Sequence, residues 1–365
     1  MKLMKTEEAV GQMLCHDITQ IIRGVKKGPV FKKGHIITEE DIPVLLSVGK
    51  DHIYIWEVNE NMMHENDAAM VLYELCRSEN MHPSGISEGK VELIADCDGL
   101  LCVDRERLLK VNSFGEMMIA TRHDRFPVKK GDKLAGTRII PLIIEKEKME
   151  RVQTMVSGAP ILRLLPFRPR KVGIVTTGNE VYYHRIEDTF TPVVEEKIRE
   201  YGGEVIAHAY SSDDTEMETD CIRQVLAAGA DMVICTGGMS VDPDDRTPYA
   251  IRQVADRVVS YGAPVLPGAM FMLAYKKGFA QGKGSDTLAA KASVEEPRDP
   301  LDNEIPILGL PGCVMYAKRT IFDLILPRLM AGEIVEKESI DRLGNGGLCL
   351  NCPTCTFPNC GFGKG

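Results

Sequence analysis

The stretch DMVICTGGMSVDPDD, residues 231–245, joins a short apolar run to two adjacent glycines and then to three aspartates. The run MVICT has the length and the β-branched content that are typical of a fully buried strand. A glycine pair directly after a strand lets the backbone approach an anion closely, whereas carboxylates repel one. The stretch therefore predicts a strand that ends in a ligand-binding loop. It also raises the question of how one loop uses both kinds of group.

Similar apolar runs occur on both sides of this stretch. They lie at residues 171–176, 204–210 and 305–310, and they alternate with helical patterns, most clearly at residues 191–203 and 213–230. Strands that alternate with helices of this length form parallel sheets covered by helices. The sequence therefore predicts an α/β fold with a mainly parallel sheet and helices on both faces.

Capping residues mark the starts of two of these helices. Thr191 is followed by a proline, which suits the first turn of a helix. Asp213 and Glu216 have the spacing of a capping box. We therefore expect Thr191 and Asp213 to be the N-caps of the two helices.

The rest of the chain predicts two further parts. Residues 1–168 mix strand and helix patterns with turn signals and indicate an α+β region that contains a small β domain. Residues 169–331 form the predicted α/β domain, and a proline-containing linker precedes it. Residues 332–365 form a short tail that is rich in cysteine.

Composition narrows the classes of function. The formal net charge of the 365 residues is −9, which argues against a nucleic-acid-binding protein. No apolar run approaches the roughly 20 residues of a membrane-spanning helix, and the first residues lack a secretory signal. The chain contains 11 cysteines, an odd number, most of them scattered. These features predict a folded cytoplasmic protein that binds neither nucleic acid nor membrane.

Four loops should meet at one edge of the predicted sheet, because ligands of parallel sheets bind at the carboxyl ends of the strands. The loops are TTGNE (176–180), SSDD (211–214), TGGMSVDPDD (236–245) and GLPGC (309–313). The glycine pair would contact a phosphate or a pterin directly. The carboxylates would hold Mg²⁺, which bridges a carboxylate and a phosphate. The acidic residues in these loops that we expect to surround the ion are Glu180, Asp213 and Asp245.

Each of these residues also has an ordinary interpretation. A glycine pair after a strand is often only a turn, Asp213 alone is better explained as a helix cap, and Glu180 as a surface residue. The placement of all four loops at strand ends favours a site.

Read together, these motifs resemble the molybdopterin-binding domain of molybdenum-cofactor biosynthesis proteins. TTGNE is similar to the family's T-G-[DN]-E, TGGMSVDPDD to its G-G-x-S-V-G-x-x-D, GLPG to its L-P-G-N-P and PGAM (267–270) to its P-G-K-P. The resemblance covers roughly residues 171–330. It implies the predicted fold and a site for the pterin dithiolene cofactor and its adenylylated form, with Mg²⁺ and molybdate.

Within the family the sequence looks most like the molybdopterin molybdotransferases. That resemblance implies that Glu180, Asp213 and Asp245 are the acidic catalytic residues around Mg²⁺ and molybdate. It implies a reaction in which AMP leaves while molybdate enters the dithiolene. It also implies a homodimer, with a molybdoenzyme or another cofactor-biosynthesis protein as partner. The residues that it implies for the pterin site are Thr176, Gly178, Gly237, Gly238, Ser240, Pro311 and Gly312.

Departures from the family pattern leave three functions open. Asp242 replaces a glycine, Cys313 replaces an asparagine, and a D-G-Y-A segment and a C-terminal β domain have no counterpart. The first function is the molybdate-inserting transferase. The second is a carrier or sensor that binds molybdopterin without turning it over. The third is a nucleotide pyrophosphatase of the competence/damage-inducible type, because DPDDRTP (242–248) resembles a loop of that group.

The tail ends in CLNCPTCTFPNC, which places Cys349, Cys352, Cys355 and Cys360 at C-x₂-C-x₂-C-x₄-C spacing. In a cytosolic chain such spacing indicates metal before disulfides. Three cysteines at two successive x₂ spacings are closer to an iron–sulfur run than to paired zinc knuckles, but the sequence does not separate the two. The alternative is a disordered tail of free thiols. The glycines at 344, 346 and 347 predict a mobile tail.

Overall fold

The computed structural model describes residues 2–55, 60–240, 242, 245–278 and 304–365. Contacts between residues divide the chain into two compact units. The first unit consists of residues 1–96, 103–122 and 130–163, and the second consists of residues 97–102, 123–129 and 164–365. The boundaries predicted after residues 168 and 331 make each domain continuous in sequence. The observed division differs, because it assigns the short segments 97–102 and 123–129 to the second unit.

The N-terminal part of the chain consists of short strands and helices. Thr137 of the strand at 133–139 donates its hydroxyl to the carbonyl of Ala69 at 3.0 Å, which fixes the helix at 65–76 on an antiparallel sheet. The helices are α1 (Asp41–Ser47), α2 (Glu65–Cys76), α3 (Arg105–Ser113) and α4 (Lys146–Met155). The strands are β1 (Lys2–Lys5), β2 (Ile18–Ile22), β3 (Lys26–Phe31), β4 (His52–Ile55), β5 (Met62–His64), β6 (Met81–Pro83), β7 (Lys90–Ala95), β8 (Gly99–Val103), β9 (Met117–Thr121), β10 (Phe126–Val128), β11 (Lys133–Ile139), β12 (Ile143–Glu145) and β13 (Leu162–Pro166).

The two larger sheets of this part have four and three strands. One has the order β6-β7-β11-β9, and all its neighbouring strands are antiparallel. Another has the order β10-β8-β13. Helix α3 lies between β8 and β9, so helices interrupt the short strands of this part of the chain.

The second unit contains the α/β sheet. The described strands of this sheet are β14 (Lys171–Thr177), β15 (Glu204–Ser211), β16 (Met232–Thr236), β17 (Arg257–Tyr261), β18 (Met272–Lys277) and β19 (Glu304–Leu310). Its helices are α5 (Asn179–Tyr182), α6 (Phe190–Glu200), α7 (Thr215–Ala227), α8 (Thr247–Val254), α9 (Ile321–Met330) and α10 (Lys337–Asp341). The strand order is β15-β14-β16-β19-β18-β17; the first four strands are parallel, and β18 and β17 are antiparallel to their neighbours.

Helices cover both faces of this sheet, as predicted. Along β14, Ile174 packs into a core with residues of α6 and α9, whereas Val175 packs into a core with residues of α7 and α8. Ile234 and Cys235 divide in the same way along β16. Because successive side chains of a strand point to opposite faces, a strand that is buried on both faces must be apolar throughout. That requirement explains the unbroken apolar runs in the sequence.

Both predicted N-caps are wrong, by two residues for α6, whose N-cap is Thr189, and by one residue for α7. Helix α6 begins at Phe190, and the Asp188 carboxylate accepts hydrogen bonds from the backbone N–H of Phe190 at 2.9 Å and of Thr191 at 3.0 Å. Helix α7 is capped by Asp214, which accepts from the backbone N–H of Met217 at 2.8 Å. Because Asp213 and Asp214 are adjacent aspartates, the sequence offered the same capping chemistry for α7 at both positions.

A buried ion network lies at the C-terminal end of α9, in the second unit. Arg328 has a side chain only 3% exposed, and it donates to the Glu333 carboxylate through Nε at 2.8 Å and Nη2 at 3.0 Å. Arg125 donates through Nε to the same carboxylate at 2.6 Å. Burial opposes ionisation of Glu333, but the hydrogen bonds and charges of the two arginines outweigh it and hold its pKa below the ordinary value.

The substitution Glu333→Gln should therefore cost about 3 kcal/mol of unfolding free energy, because it leaves a buried guanidinium without its counter-charge. Denaturant unfolding measures this cost. Because the folded pKa is lowered, the wild-type contribution is present above the unfolded pKa and is lost as the pH falls through the folded pKa. The matched control is Glu338→Gln, whose pair with Arg342 is 77% exposed on both sides and whose loss should change little. Equal effects of the two substitutions would contradict the prediction.

Candidate functional site

The four loops predicted to meet do start at one edge of the sheet. Strands β14, β15, β16 and β19 are parallel, and their last residues stand side by side in the hydrogen-bonded register. Thr177 pairs with Ser211, and Thr236 pairs with both Thr176 and Leu310. The loops TTGNE, SSDD, TGGMS and GLPGC therefore leave the sheet on the same side.

Two of these loops enclose a pocket of about 360 Å³. The glycine loop after β16 forms one side and the loop after β19 forms another, and residues of the PGAM segment lie between them. Six of the residues predicted for the site line this pocket. The complete lining is Gly237, Gly238, Met239, Ser240, Asp245, Ala269, Met270, Pro311, Gly312 and Cys313.

The two glycines of the pocket are required by the backbone. Gly237 has φ +85° and Gly238 has φ +55°, in the left-handed region that side chains disfavour. A Cβ on Gly237 would overlap the carbonyl oxygen of Thr177, and a Cβ on Gly238 would lie 2.6 Å from the hydroxyl oxygen of Thr247. The pair therefore permits a turn that packs tightly against β14 and the start of α8.

The amides of this turn point away from α8. The carbonyl of Gly237 accepts the Thr247 hydroxyl at 2.9 Å, and the carbonyl of Gly238 accepts the backbone N–H of Thr247 at 3.2 Å. In a trans peptide the carbonyl and the N–H point in opposite directions. The N–H groups of Gly238 and Met239 therefore face away from Thr247, on a turn that lines the pocket. Successive amides arranged in this way suit an anion.

A buried carboxyl group lies behind the glycine turn. Glu218 of α7 is 1% exposed, and its Oε1 accepts the Thr177 hydroxyl at 2.6 Å and also lies within hydrogen-bond distance of the Thr247 hydroxyl. Within the described chain its Oε2 has no hydrogen-bond partner. Burial raises the pKa of Glu218, and it outweighs the hydrogen bonds from Thr177 and Thr247. The surroundings of Glu218 therefore disfavour its charged form.

The sequence interpretation missed Glu218. Its signal was the helix period, since Glu218, Ile222 and Val225 are spaced by four and three residues and all three are buried. Because acidic residues surround Glu218 in the sequence, the first turns of α7 were expected to be exposed to solvent. An acid on the apolar face of a predicted helix therefore needs separate attention.

Thr176, predicted for the pterin site, does not line the pocket and takes part in a polar network at the end of β14. Its hydroxyl lies 3.2 Å from Asp188 Oδ2, 3.1 Å from Thr191 Oγ1 and 2.9 Å from His208 Nε2. Burial opposes ionisation of Asp188, but hydrogen bonds from Thr191, Phe190 and Thr176 keep its pKa below the ordinary value. Burial also lowers the pKa of His208. Asp188 and His208 are polar residues of this sheet edge that the motifs did not include.

The remaining predicted residues lie along the edge but not in the lining of the pocket. Gly178 has φ +142° and donates its N–H to the carbonyl of Ser211 at 3.2 Å. Asp213 Oδ2 accepts the backbone N–H of Asn179 at 3.1 Å, so it joins the loops after β14 and β15. Glu180 is exposed.

The carboxylates do not form a ready magnesium site. Asp245 Oδ2 accepts the backbone N–H of Asp242 at 3.1 Å, within its own loop. Over the residues that the structure describes, no three His, Cys, Asp or Glu side chains are grouped so as to hold a metal ion. Glu180, Asp213 and Asp245 therefore do not fit Mg²⁺ as they stand, and no step through Mg²⁺ follows from them. Magnesium binding stays a prediction.

Comparison with protein families identifies the second unit's sheet domain. Residues 173–331 match the family model described as "Probable molybdopterin binding domain". These residues form a domain of the molybdopterin-binding family. Residues 3–57 match a separate model, "Domain of unknown function (DUF8806)". The resemblance stated from the motifs is thereby confirmed for the molybdopterin-binding domain.

Individual relatives match only parts of their own length. A molybdopterin molybdenumtransferase of Synechococcus elongatus is 24% identical over 143 residues, which cover 37% of this chain and 36% of the relative. A Streptococcus pneumoniae protein named for competence-damage induction is 22% identical over 189 residues, which cover 48% and 44%. The chain therefore spans less than half the length of these curated relatives. The molybdopterin biosynthesis enzyme MoaB of Thermus thermophilus is 20% identical, covers 45% of this chain and 98% of its own, and has a TM-score of 0.33.

None of the helices in the described ranges is both long enough and apolar enough to span a membrane.

The buried carboxyl group behind the molybdopterin-binding domain's glycine turn gives a testable pH dependence. Because the folded pKa of Glu218 is raised above its unfolded value, its stability contribution is present below the unfolded pKa and is lost as the pH rises through the folded pKa. Glu218→Gln should abolish this part of the pH dependence of the unfolding free energy. Urea unfolding from acid to neutral pH measures it.

Two further variants complete that test. Glu218→Ala removes the acceptor of Thr177 and should destabilise the protein at every pH by about 1–3 kcal/mol. Glu216→Gln, at an exposed position of the same helix, should leave the pH profile unchanged. A Glu218→Gln variant with the wild-type pH profile would show that this carboxyl group is not buried in its neutral form.

Proposed function

We propose that this protein binds molybdopterin in the pocket between the loops after β16 and β19, and that it acts in molybdenum cofactor biosynthesis. The observation that carries the proposal is the glycine turn itself. It lies in a molybdopterin-binding family domain, lines a pocket of about 360 Å³, and turns the amides of Gly238 and Met239 away from α8. Molybdopterin carries a phosphate, and such amides are suited to hold one.

The other walls suit the rest of an anionic, ring-containing ligand. Ala269, Met270 and Pro311 offer apolar surface beside the turn, and the Ser240 side chain is exposed at the rim. Sites for small molecules combine apolar walls with a few placed polar groups in this way. Since the net charge of the chain is −9, long-range attraction does not favour an anion, and these local amides must supply the binding.

Within this role we propose the molybdate-inserting reaction, with carriage without turnover as the alternative. Support comes from the molybdopterin molybdenumtransferase relative, which matches 37% of this chain. The two functions differ in one readout. Incubation of the protein with adenylylated molybdopterin and molybdate should release AMP if it is a transferase, whereas a carrier should retain the ligand intact. Parallel reactions with Mg²⁺ and with a chelator test the predicted dependence on magnesium.

The competence/damage-inducible match supports a second candidate, a nucleotide pyrophosphatase. Relatives of that description are 22% identical over 189 residues, a longer match than the transferase offers. Purified protein incubated with ADP-ribose and a divalent cation would then release AMP. Hydrolysis of ADP-ribose together with no retention of molybdopterin would replace the first proposal by this one. The predicted homodimer and the predicted recipient enzyme stay predictions.

Gly312→Leu tests the pocket without disturbing the backbone. A Cβ at Gly312 meets no atom within 4 Å and the residue has no positive φ, so the longer side chain should occupy the pocket and leave the fold intact. We expect molybdopterin affinity to fall at least about tenfold, which is the cost of roughly 1.4 kcal/mol of lost contacts. Ligand retention after purification, quantified by mass spectrometry, and titration of the apo-protein measure it.

The matched control for this variant is Gly85→Leu. Gly85 is exposed in the first unit, and its Cβ would also meet nothing within 4 Å. It should bind molybdopterin as the wild type does. Wild-type affinity of Gly312→Leu would exclude this pocket as the site.

Asp245→Ala separates the transferase from the carrier. The Asp245 carboxylate lies at the pocket and orders its own loop through the N–H of Asp242. A transferase should lose AMP release, whereas a carrier should lose only part of its molybdopterin affinity. Unfolding curves of the variant show whether the loop change destabilises the whole protein. Full AMP release by Asp245→Ala would remove this residue from the reaction.

A further inference from the structure

The second unit contains another cavity of about 360 Å³, in the C-terminal tail. All four tail cysteines line it, together with Lys318, Arg319 and two aromatic side chains, Phe357 and Phe362. None of the four is in a disulfide, and Cys352 and Cys355 are exposed. A cavity lined by four free thiols is not used by the proposed molybdopterin site, which lies at the sheet edge.

The tail that carries these cysteines is packed against the second unit. Leu266 exchanges backbone hydrogen bonds with the tail, accepting from Cys349 N–H at 2.8 Å and donating to the Gly347 carbonyl at 2.8 Å. Phe362 is 5% exposed within the main core. A Cβ on Gly347 would lie 2.5 Å from the carbonyl oxygens of Leu343 and Pro264. The glycines that predicted a mobile tail thus permit close backbone packing instead.

Two consecutive cations hold the loop between the middle cysteines. Lys318 donates from Nζ to the carbonyl of Cys352 at 3.1 Å and of Pro353 at 2.7 Å. Arg319 hydrogen-bonds the side chain of Cys355, and its guanidinium lies 4.9 Å from the ring centre of Phe357. Cations and hydrogen-bond donors beside cysteine sulfur reduce the cost of bringing several thiolates together.

We propose that Cys349, Cys352, Cys355 and Cys360 bind an iron–sulfur cluster in this cavity. A single zinc ion is the competing occupant. Over the described residues, which include the whole tail, no three of these cysteine side chains are grouped closely enough to hold a metal ion as they stand. Either group would therefore have to draw the thiolates together on binding. Four cysteines that line one cavity supply the number of ligands that a cluster takes.

The sequence spacing favours this choice over its first three cysteines. Cys349, Cys352 and Cys355 have the C-x₂-C-x₂-C spacing of bacterial cluster-binding runs, and Cys360 follows one position later than the fourth cysteine of those runs. Phe357 and Phe362 give the cavity apolar lining, and an apolar surround is one of the factors that tune such clusters. This proposal does not rest on the function proposed for the sheet edge.

The test is metal and sulfide analysis of the full chain, purified anaerobically and then reconstituted with ferrous iron, sulfide and a thiol reductant. We expect iron and acid-labile sulfide in equal amounts, roughly four of each per chain for a cubane cluster or two for the smaller type, with charge-transfer absorption in the visible range. Cys352→Ser and Cys355→Ser should each lower bound iron at least about tenfold. Both positions are exposed, so these variants should fold.

Controls make each outcome decisive. Cys97→Ser changes a half-buried cysteine outside the cavity and should retain the cluster. Gly312→Leu should also retain it, so a failed molybdopterin proposal leaves this one standing. Stoichiometric zinc without sulfide would assign the cavity to zinc. Colourless, metal-free protein after reconstitution, or wild-type iron content in both serine variants, would overturn the proposal. Far-UV circular dichroism verifies that each variant is folded.

Discussion

The buried carboxyl group of Glu218 connects segments that are far apart in the sequence and that meet behind the glycine turn. It contacts the hydroxyl of Thr177, 41 residues earlier, and that of Thr247, 29 residues later. Thr247 in turn binds the carbonyls of the glycine pair. The end of β14, helix α7 and the start of α8 are therefore joined through one side chain. Because both glycine carbonyls are engaged on that side, their peptide N–H groups are presented on the other.

This arrangement answers the question posed by a loop that contains both glycines and aspartates. The glycines occupy backbone positions where a Cβ would overlap neighbouring atoms, and they form one wall of the pocket. Asp245 binds the backbone N–H of Asp242 and so shapes the loop that it belongs to. The acid and the glycines thus have different tasks. Asp245 stabilises the loop through a local hydrogen bond, whereas Gly237 and Gly238 let the backbone approach a ligand closely.

Sequence patterns predicted the sheet and its loops because both depend on local chemistry. A strand buried on two faces must be apolar throughout, and the loops after such strands must lie at one edge, so Gly237 and Gly312 could be placed together without coordinates. The antiparallel direction of β17 and β18 was not predicted, since their residues carry no signal of chain direction. Glu218 was missed because its burial depends on α7 packing against β14. The predicted caps Asp213 and Thr191 lie one residue before and two residues after the N-caps, which are Asp214 for α7 and Thr189 for α6, and such small shifts of a helix start are not fixed by local sequence.

The division of the second unit along the chain has a consequence for its assembly. Residues 97–102 and 123–129 belong to it, although they are synthesised well before β14. Phe126 packs in its main core, and Arg125 neutralises Glu333 beyond α9. A fragment that started at the linker would lack the core side chain of Phe126 and would leave Glu333 without its contact to Arg125. Arg125 and Glu333 are 208 residues apart in the sequence. During synthesis, about 200 residues must therefore follow Arg125 before this native contact can form.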